Sequence, residues 1–402
     1  MSPFRMSRTS RTRRSALALA LCAATVATLQ GVASPTAGAT PAASTSSSSS
    51  STSKVGHIED STARAFAESL SEGSWRTQVR TAALASDQID LRALTGRTAT
   101  RAGSALEPAI ATADRRIAEA KGLAADTGSL LRLRLAAPSM RAELASGTAP
   151  LVAAATTDDS AETITAYDSR GRAHTLDARR TPDRPVYVVD IDVSRAMAAG
   201  LKTLNKELTA RGLATPAKQL STSASASSPT SSSPTRSAAA GFWTTRIDSV
   251  QLSNDEEPWV SGDAEVFSIV SGFGFDGKVR VDTVDMPYLD NDGTTYYPNQ
   301  ILVNWSSYKY NLADVVMMED DGDTNYQALA KALADALLTI TDLGTYIPLV
   351  NAILDAIPAS WWTNDPDYVD SWYTLANTST GRLNGARANG WLTVTPYFVT
   401  QS

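Results

Sequence analysis

Between Leu220 and Ala239 the chain is almost wholly Ser, Thr, Pro and Ala, too poor in large apolar side chains to offset the entropy lost on ordering a backbone. This linker, assigned to 220–240, separates two halves of unlike chemistry. Seven of the eight Trp, ten of the twelve Tyr and five of the seven Phe lie after Ala240, whereas the front half is rich in Ala, Arg, Ser and Thr. A chain of 402 residues is long for one compact domain, and the linker predicts where it divides.

The first residues read as an export signal. Arg5, Arg8, Arg11, Arg13 and Arg14 make a positive start, Ala16 to Leu29 an apolar run, and Ala37-Gly38-Ala39 a small-residue cleavage site, with Val32-Ala33-Ser34 as a second choice. Arg13-Arg14 leaves both the general and the twin-arginine export routes open. The expected order is a signal peptide over 1–39, a low-complexity lead over 40–53, an α+β accessory domain over 54–219, the linker, and an acidic, aromatic-rich β domain over 241–402. The one cysteine, Cys22, falls inside the signal, so the mature chain has no thiol for a disulfide, a nucleophile or a thiolate metal site. No later stretch approaches the ~18 apolar residues of a membrane span. The expected localisation is secreted, with no stable membrane span.

Periodicity gives the fold class: α+β, an N-terminal helical and α+β region followed by a C-terminal β-sandwich-like domain with an inserted helical hairpin. In the front half, Asp60-Ser61-Thr62 is suited to cap a helix through Ala63, Phe66, Ala67 and Leu70. Further helices are expected from Trp75 to Leu84 and from Glu107 to Ala125, with Pro108 in the first turn. Leu130 to Leu135 alternates Leu with Arg and fits either a strand or a helix. Short strands follow at Leu151–Ala155, Thr163–Tyr167, Ala173–Leu176 and Val186–Val193, then a helix from Ser194 to Arg211 capped by Ser194. Beyond the linker, strands are expected at Phe242–Leu252, Trp259–Val270, Gly277–Met286, Ile301–Trp305 and Ala313–Met318. Two helices, Thr324–Leu343 and Tyr346–Ile357, come next. A final strand, Trp391–Thr400, sets Trp391, Thr393, Thr395 and Tyr397 on one face.

Charge separates as sharply as composition. From Gly241 onward there are 22 Asp and Glu against 7 Lys and Arg, which disfavours nucleic acid as a partner. Without the signal arginines the front half holds 24 bases against 20 acids, so the halves have opposite signs and intramolecular docking is expected. The acids cluster at Asp255-Glu256-Glu257, Asp290-Asn291-Asp292-Gly293, Glu319-Asp320-Asp321-Gly322-Asp323, and Asp365, Asp367 and Asp370. Clustering at turns points to a hard cation, calcium first. Asp321, Asp323 and Asn325 have the spacing of the first three ligands of a calcium loop, with Asp290 and Asp292 as a second acidic turn. Tyr326 and Ala332 stand where an EF-hand needs Gly and Glu, so that motif is excluded. The same residue types are ordinary turn formers, and Asp323 or Thr324 is equally suited to cap the helix that follows.

Catalysis has little to build on. His57 and His174 are the two histidines, and no nucleophile-elbow, metalloprotease, phosphate-loop or dinucleotide motif occurs. Paired carboxylates among Asp365, Asp367 and Asp370, flanked by Trp361, Trp362, Trp372 and Tyr373, supply the residue types of a glycan hydrolase without a specific spacing. The leading expectation is a binding or interaction protein for an extracellular ligand, its acidic loops holding calcium; the alternative is an extracellular carboxylate-dependent, glycan-active hydrolase.

Three blocks carry a family likeness: Ser253-Asn254-Asp255-Glu256-Glu257-Pro258-Trp259-Val260-Ser261-Gly262, Val284-Asp285-Met286-Pro287-Tyr288-Leu289-Asp290, and Asp292-Gly293-Thr294-Thr295-Tyr296-Tyr297-Pro298-Asn299-Gln300. With Val188-Val189-Asp190-Ile191-Asp192-Val193 they resemble the bacterial DUF3103 family, over a span from about Thr163 to the C-terminus. That family is one of secreted proteins of unknown function, so the resemblance implies a shared domain core and assigns no catalytic residue.

Overall fold

The computed structural model describes residues 53–155, 161–214, 241–253, 260, 265–320, 322, 324–357 and 368–400. The segments expected to be a signal peptide and a linker, nearly all of the expected low-complexity lead, Asp255-Glu256-Glu257, Trp259, Trp361-Trp362, Asp365 and Asp367 lie outside the described residues, as do Asp321 and Asp323.

The front half is a six-stranded sheet packed against helices. Helix α1 spans Lys54–Ser69, and its cap is Ser53, whose hydroxyl accepts from the Gly56 N–H. It therefore starts well before the Asp60 expected from sequence, because Val55 and Ile58 already belong to the buried stripe. Helix α2 (Gly73–Ala85) buries Trp75, which meets Phe66 edge-on at 6.2 Å. After β1 (Gln88–Asp90) and α3 (Leu91–Gly96), α4 runs from Arg101 to Ala120. Thr100 caps it, so Pro108 sits inside the helix rather than in its first turn. The open Leu130–Leu135 segment is strand β2 (Leu131–Leu135), its arginines paired with carboxylates: Arg132 with Asp90 and Asp192, Arg134 with Asp190. Helix α5 (Arg141–Ala145), β3 (Leu151–Ala154), β4 (Thr163–Tyr167), β5 (Ala173–Asp177) and β6 (Val186–Ile191) complete the sheet, in the order β1-β2-β6-β3-β4-β5. Helix α6 (Val193–Ala210) is capped by Asp192, which accepts from the Arg195 N–H, not by Ser194.

The back half is a sandwich of two four-stranded sheets. Strands β7 (Gly241–Leu252), β8 (Val266–Phe273), β9 (Val279–Met286), β10 (Gln300–Asn304), β11 (Leu312–Glu319), β12 (Tyr368–Ala376), β13 (Gly381–Asn384) and β14 (Gly390–Thr400) divide into β12-β11-β8-β9 and β10-β7-β14-β13. Ile247, Val250, Val270, Val315, Met317, Leu392 and Val394 form the core between them. Helices α7 (Tyr326–Leu337) and α8 (Val350–Ala356) are inserted between β11 and β12. They are shorter than their apolar pattern predicts, since residues 338–349 connect them as a non-helical loop.

The helices α6 and α8 pack on β9 and β11, so the sheet β12-β11-β8-β9 is covered on both faces and every residue of β8 is buried. Leu201, Leu204 and Leu208 of α6 share a core with Tyr326, Leu329 and Leu333 of α7 and with Phe267, Ile269 and Val281 of the sheet. Each such aliphatic side chain contributes about 1.5–3 kcal/mol on full burial. The helices cross where α6 has Gly200; a Cβ there would come within 2.2 Å of the Tyr326 ring. The Val281 N–H also donates to the Leu213 carbonyl at 2.9 Å. Residues before and after the linker thus belong to one core.

Candidate functional site

The described acidic residues of the back half differ in position and partners. Asp320, at the end of β11, is fully buried with Lys121 from the end of α4: the ammonium lies 2.8 and 3.1 Å from its two carboxylate oxygens and 2.7 Å from the Gly322 carbonyl. The Tyr326 hydroxyl donates to the same carboxylate at 2.6 Å, and Lys121 stands 5.8 Å from that ring's centre. A cation does sit at this acidic loop, and it is a lysine. Sequence reasoning missed it because one Lys after an amphipathic helix carries no pattern.

Asp314 and Asp370 act as anchors. Asp314 accepts from Tyr346 OH, the Leu349 N–H and the Thr374 N–H, while burial pushes its carboxyl above the usual range. Asp370, on the edge strand β12, accepts the backbone N–H groups of Ser371, Arg387, Asn389 and Gly390. A Cβ on Gly385 would fall 2.1 Å from this carboxylate. With both oxygens so engaged, Asp370 has the partners of a structural group, and Trp372 beside it is a core residue whose indole N–H donates to Leu383 O.

The described calcium candidates, Asn325, Asp290 and Asp292, lie in two different turns. Asn325 caps α7, its oxygen accepting from the Ala328 N–H at 2.9 Å while its NH2 donates to Ala120 O at 2.7 Å. Asp290 accepts from Tyr296 OH at 2.6 Å and Asn291 at 2.9 Å, and Asp292 is exposed in the same turn. Among the described residues no three His, Cys, Asp or Glu side chains gather as a metal group. His57 is exposed on α1; His174, on β5, has Nε2 3.2 Å from Asp168. The Arg172 hydrogen bond holds that carboxyl well below the usual range.

The open side of the other sheet gathers a different set. Leu392 and Val394 point into the core, so strand alternation turns Trp391, Thr393, Thr395 and Tyr397 outward. Leu383 likewise faces inward and leaves Arg382 and Asn384 outside. Arg382 stacks over the Trp391 ring at 4.1 Å, and Arg246 of β7 over Tyr397 at 4.9 Å. Asp248 accepts from Arg246 at 2.8 Å and from Thr395 at 3.2 Å. The Trp391 indole donates to the Gln251 carboxamide oxygen at 2.7 Å, and the Gln251 NH2 donates to Gly293 O. This chain of bonds ties the Asp290–Asp292 turn to the edge of the face. The alternation of β14 was legible in sequence; that its polar row is an open face with two Arg-stacked rings was not, because β13, which supplies Arg382, has no strand signal of its own.

The family model for proteins of unknown function designated DUF3103 matches residues 63–402. The chain belongs to the DUF3103 family. The match takes in the last turns of α1 and all of α2 through α4, so the family domain reaches further toward the N-terminus than the sequence blocks implied, and it includes both partners of the Lys121–Asp320 pair. No curated protein and no solved structure matches the chain.

Proposed function

We propose that this member of the DUF3103 family is an exported, ligand-binding protein whose binding surface is the outer face of β10-β7-β14-β13. The observation that carries the reading is the pair of half-buried rings on one side of β14, Trp391 held by its indole hydrogen bond and the Arg382 guanidinium and Tyr397 by the Arg246 guanidinium, beside the exposed Arg382 and Asn384. Fixed aromatic side chains beside polar donors and acceptors bind with little loss of side-chain entropy. The apolar row of the export signal supports an extracellular site of action.

Calcium belongs to the same proposal. The Asp290–Asp292 turn borders the face through Gln251, and the Asp321, Asp323 and Asn325 segment precedes α7. Calorimetric titration of the mature protein with calcium should show binding tighter than ~1 mM and a rise in melting temperature; weaker binding with no rise removes calcium from the proposal.

The binding reading is tested by presenting arrayed extracellular proteins, lipid vesicles and polysaccharides to the mature protein and to the triple variant Arg246→Ala, Trp391→Ala, Tyr397→Ala. Loss of a bound ligand with the melting curve intact supports the face as the binding surface. Equal retention of every ligand by the variant overturns it.

A further inference from the structure

We infer that the outer sheet face is a platform for a neutral polysaccharide laid along β14, an inference that rests on the ligand-binding reading above. Trp391 and Tyr397 stand six residues apart on one face of one strand, a separation of roughly 20 Å at the strand rise. That is a span of several sugar units and far more than one small molecule covers.

A sugar ring offers two kinds of surface: C–H faces that lie on an aromatic ring, and a rim of hydroxyls that both donate and accept. At each end of the strand the protein sets an aromatic ring, one face of which a guanidinium covers, beside donors and acceptors for that rim. Beside Trp391 are the Arg382 guanidinium and the Gln251 carboxamide; beside Tyr397 are Arg246 and Asp248. Guanidinium and amide N–H groups donate, and carboxylate and amide oxygens accept, so each ring has both partners a hydroxyl needs. The rings are already held, Trp391 through its indole N–H to Gln251 at 2.7 Å, so little ordering cost remains for binding.

The shape and charge of the face choose among polymers. An open strand face between the rings carries Thr393 and Thr395 rather than the desolvated apolar centre on which a protein partner would depend. The half-chain from Gly241 onward holds 22 acids against 7 bases, a field that repels polyanions. On the face itself Arg246 and Asp248 neutralise each other at 2.7 Å, and Arg382, whose guanidinium donates to the Asn384 carboxamide at 3.4 Å, adds a single positive charge. A neutral, hydroxyl-rich chain is the ligand that meets no electrostatic penalty there.

The test is affinity electrophoresis of the mature protein in gels containing mixed-linkage glucan, xylan, galactomannan or starch, with pull-down on insoluble cellulose and chitin. At least one should retain the wild type, and Trp391→Ala and Tyr397→Ala should each weaken retention roughly tenfold, the effect of losing about 1.4 kcal/mol. Arg382→Ala, on an exposed side chain, should weaken it several-fold and serves if Trp391→Ala does not fold. Retention of no polysaccharide, equal retention by the double variant Trp391→Ala, Tyr397→Ala, or stronger retention by polygalacturonate or heparin overturns the inference. If no polysaccharide binds but the face variants lose a protein or vesicle ligand, the polysaccharide inference falls and the ligand-binding reading stands. If the variants lose nothing of any class, both fall.

Discussion

The two sheets of the sandwich have four strands each and share one core, yet they are used in opposite ways. In β12-β11-β8-β9 both faces are covered, and the carboxylates that point out of it anchor other parts of the chain: Asp320 holds Lys121 of the front half, Asp314 holds the loop before α8, and Asp370 holds the β13–β14 connection of the facing sheet. In β10-β7-β14-β13 one face is open, and its charges are tied to neighbours on the same surface. The difference shows how one kind of residue takes its role from its solvent. A carboxylate without water must be saturated by donors and becomes structural. One at the surface keeps exchangeable partners and is free to meet a ligand.

Substitutions should separate the sheets by magnitude. Lys121→Met leaves Asp320 buried without its cation and should destabilise the protein by about 3–5 kcal/mol in denaturant unfolding. The double variant Lys121→Met, Asp320→Asn should recover part of that loss. Asp370→Ala strips four backbone N–H groups of their acceptor and should cost about 3 kcal/mol, since each orphaned buried donor costs about 1–3 kcal/mol; a loss no larger than that of an average surface substitution would show that water replaces the carboxylate. On the open sheet, Trp391→Ala should change stability by no more than about 1 kcal/mol while its effect on ligand retention is large. Comparable destabilisation by Trp391→Ala and Asp370→Ala would erase the contrast.

The smallest effect concerns acid. Asp342, in the loop between α7 and α8, has its pKa lowered from 3.8 to about 2, first by the Lys309 hydrogen bond and then by Tyr310 OH. Because the folded value lies below the unfolded one, its contribution is present above 3.8 and lost as the pH falls toward about 2. The melting-temperature gap between wild type and Asp342→Asn should therefore narrow between pH 5 and pH 2. A constant gap would place its role in packing alone.

Much of the fold was legible because period follows burial. The alternation of β14 reports one wet face, and Val266-Phe267 and Ile269-Val270, apolar on both sides of Ser268, report a strand buried on both sides. What stayed hidden depended on distant partners. Strand β12 mixes Asp370, Ser371 and Trp372, polar residues that make sense in a strand only once the donors of residues 387–390 are placed against them. The helix caps shifted for a similar reason: Asp192 and Asn325 outcompeted nearby Ser194 and Thr324 because the packed face of each helix fixes where its first turn begins. Of the candidate site, the acidic turns announced charge, but a cation from 199 residues away at Lys121 could not be read from local sequence.

The shared core has a consequence for how the chain withstands a cut. Val281 bonds Leu213 and Lys121 lies against Asp320, so neither part depends on the covalent connection between Ala214 and Gly241 to stay in place. A protease that cuts once in that interval should leave a nicked protein whose two fragments migrate together on a sizing column and part only in denaturant. Fragments produced separately should reassemble when mixed, with Lys121 as the piece whose loss prevents it.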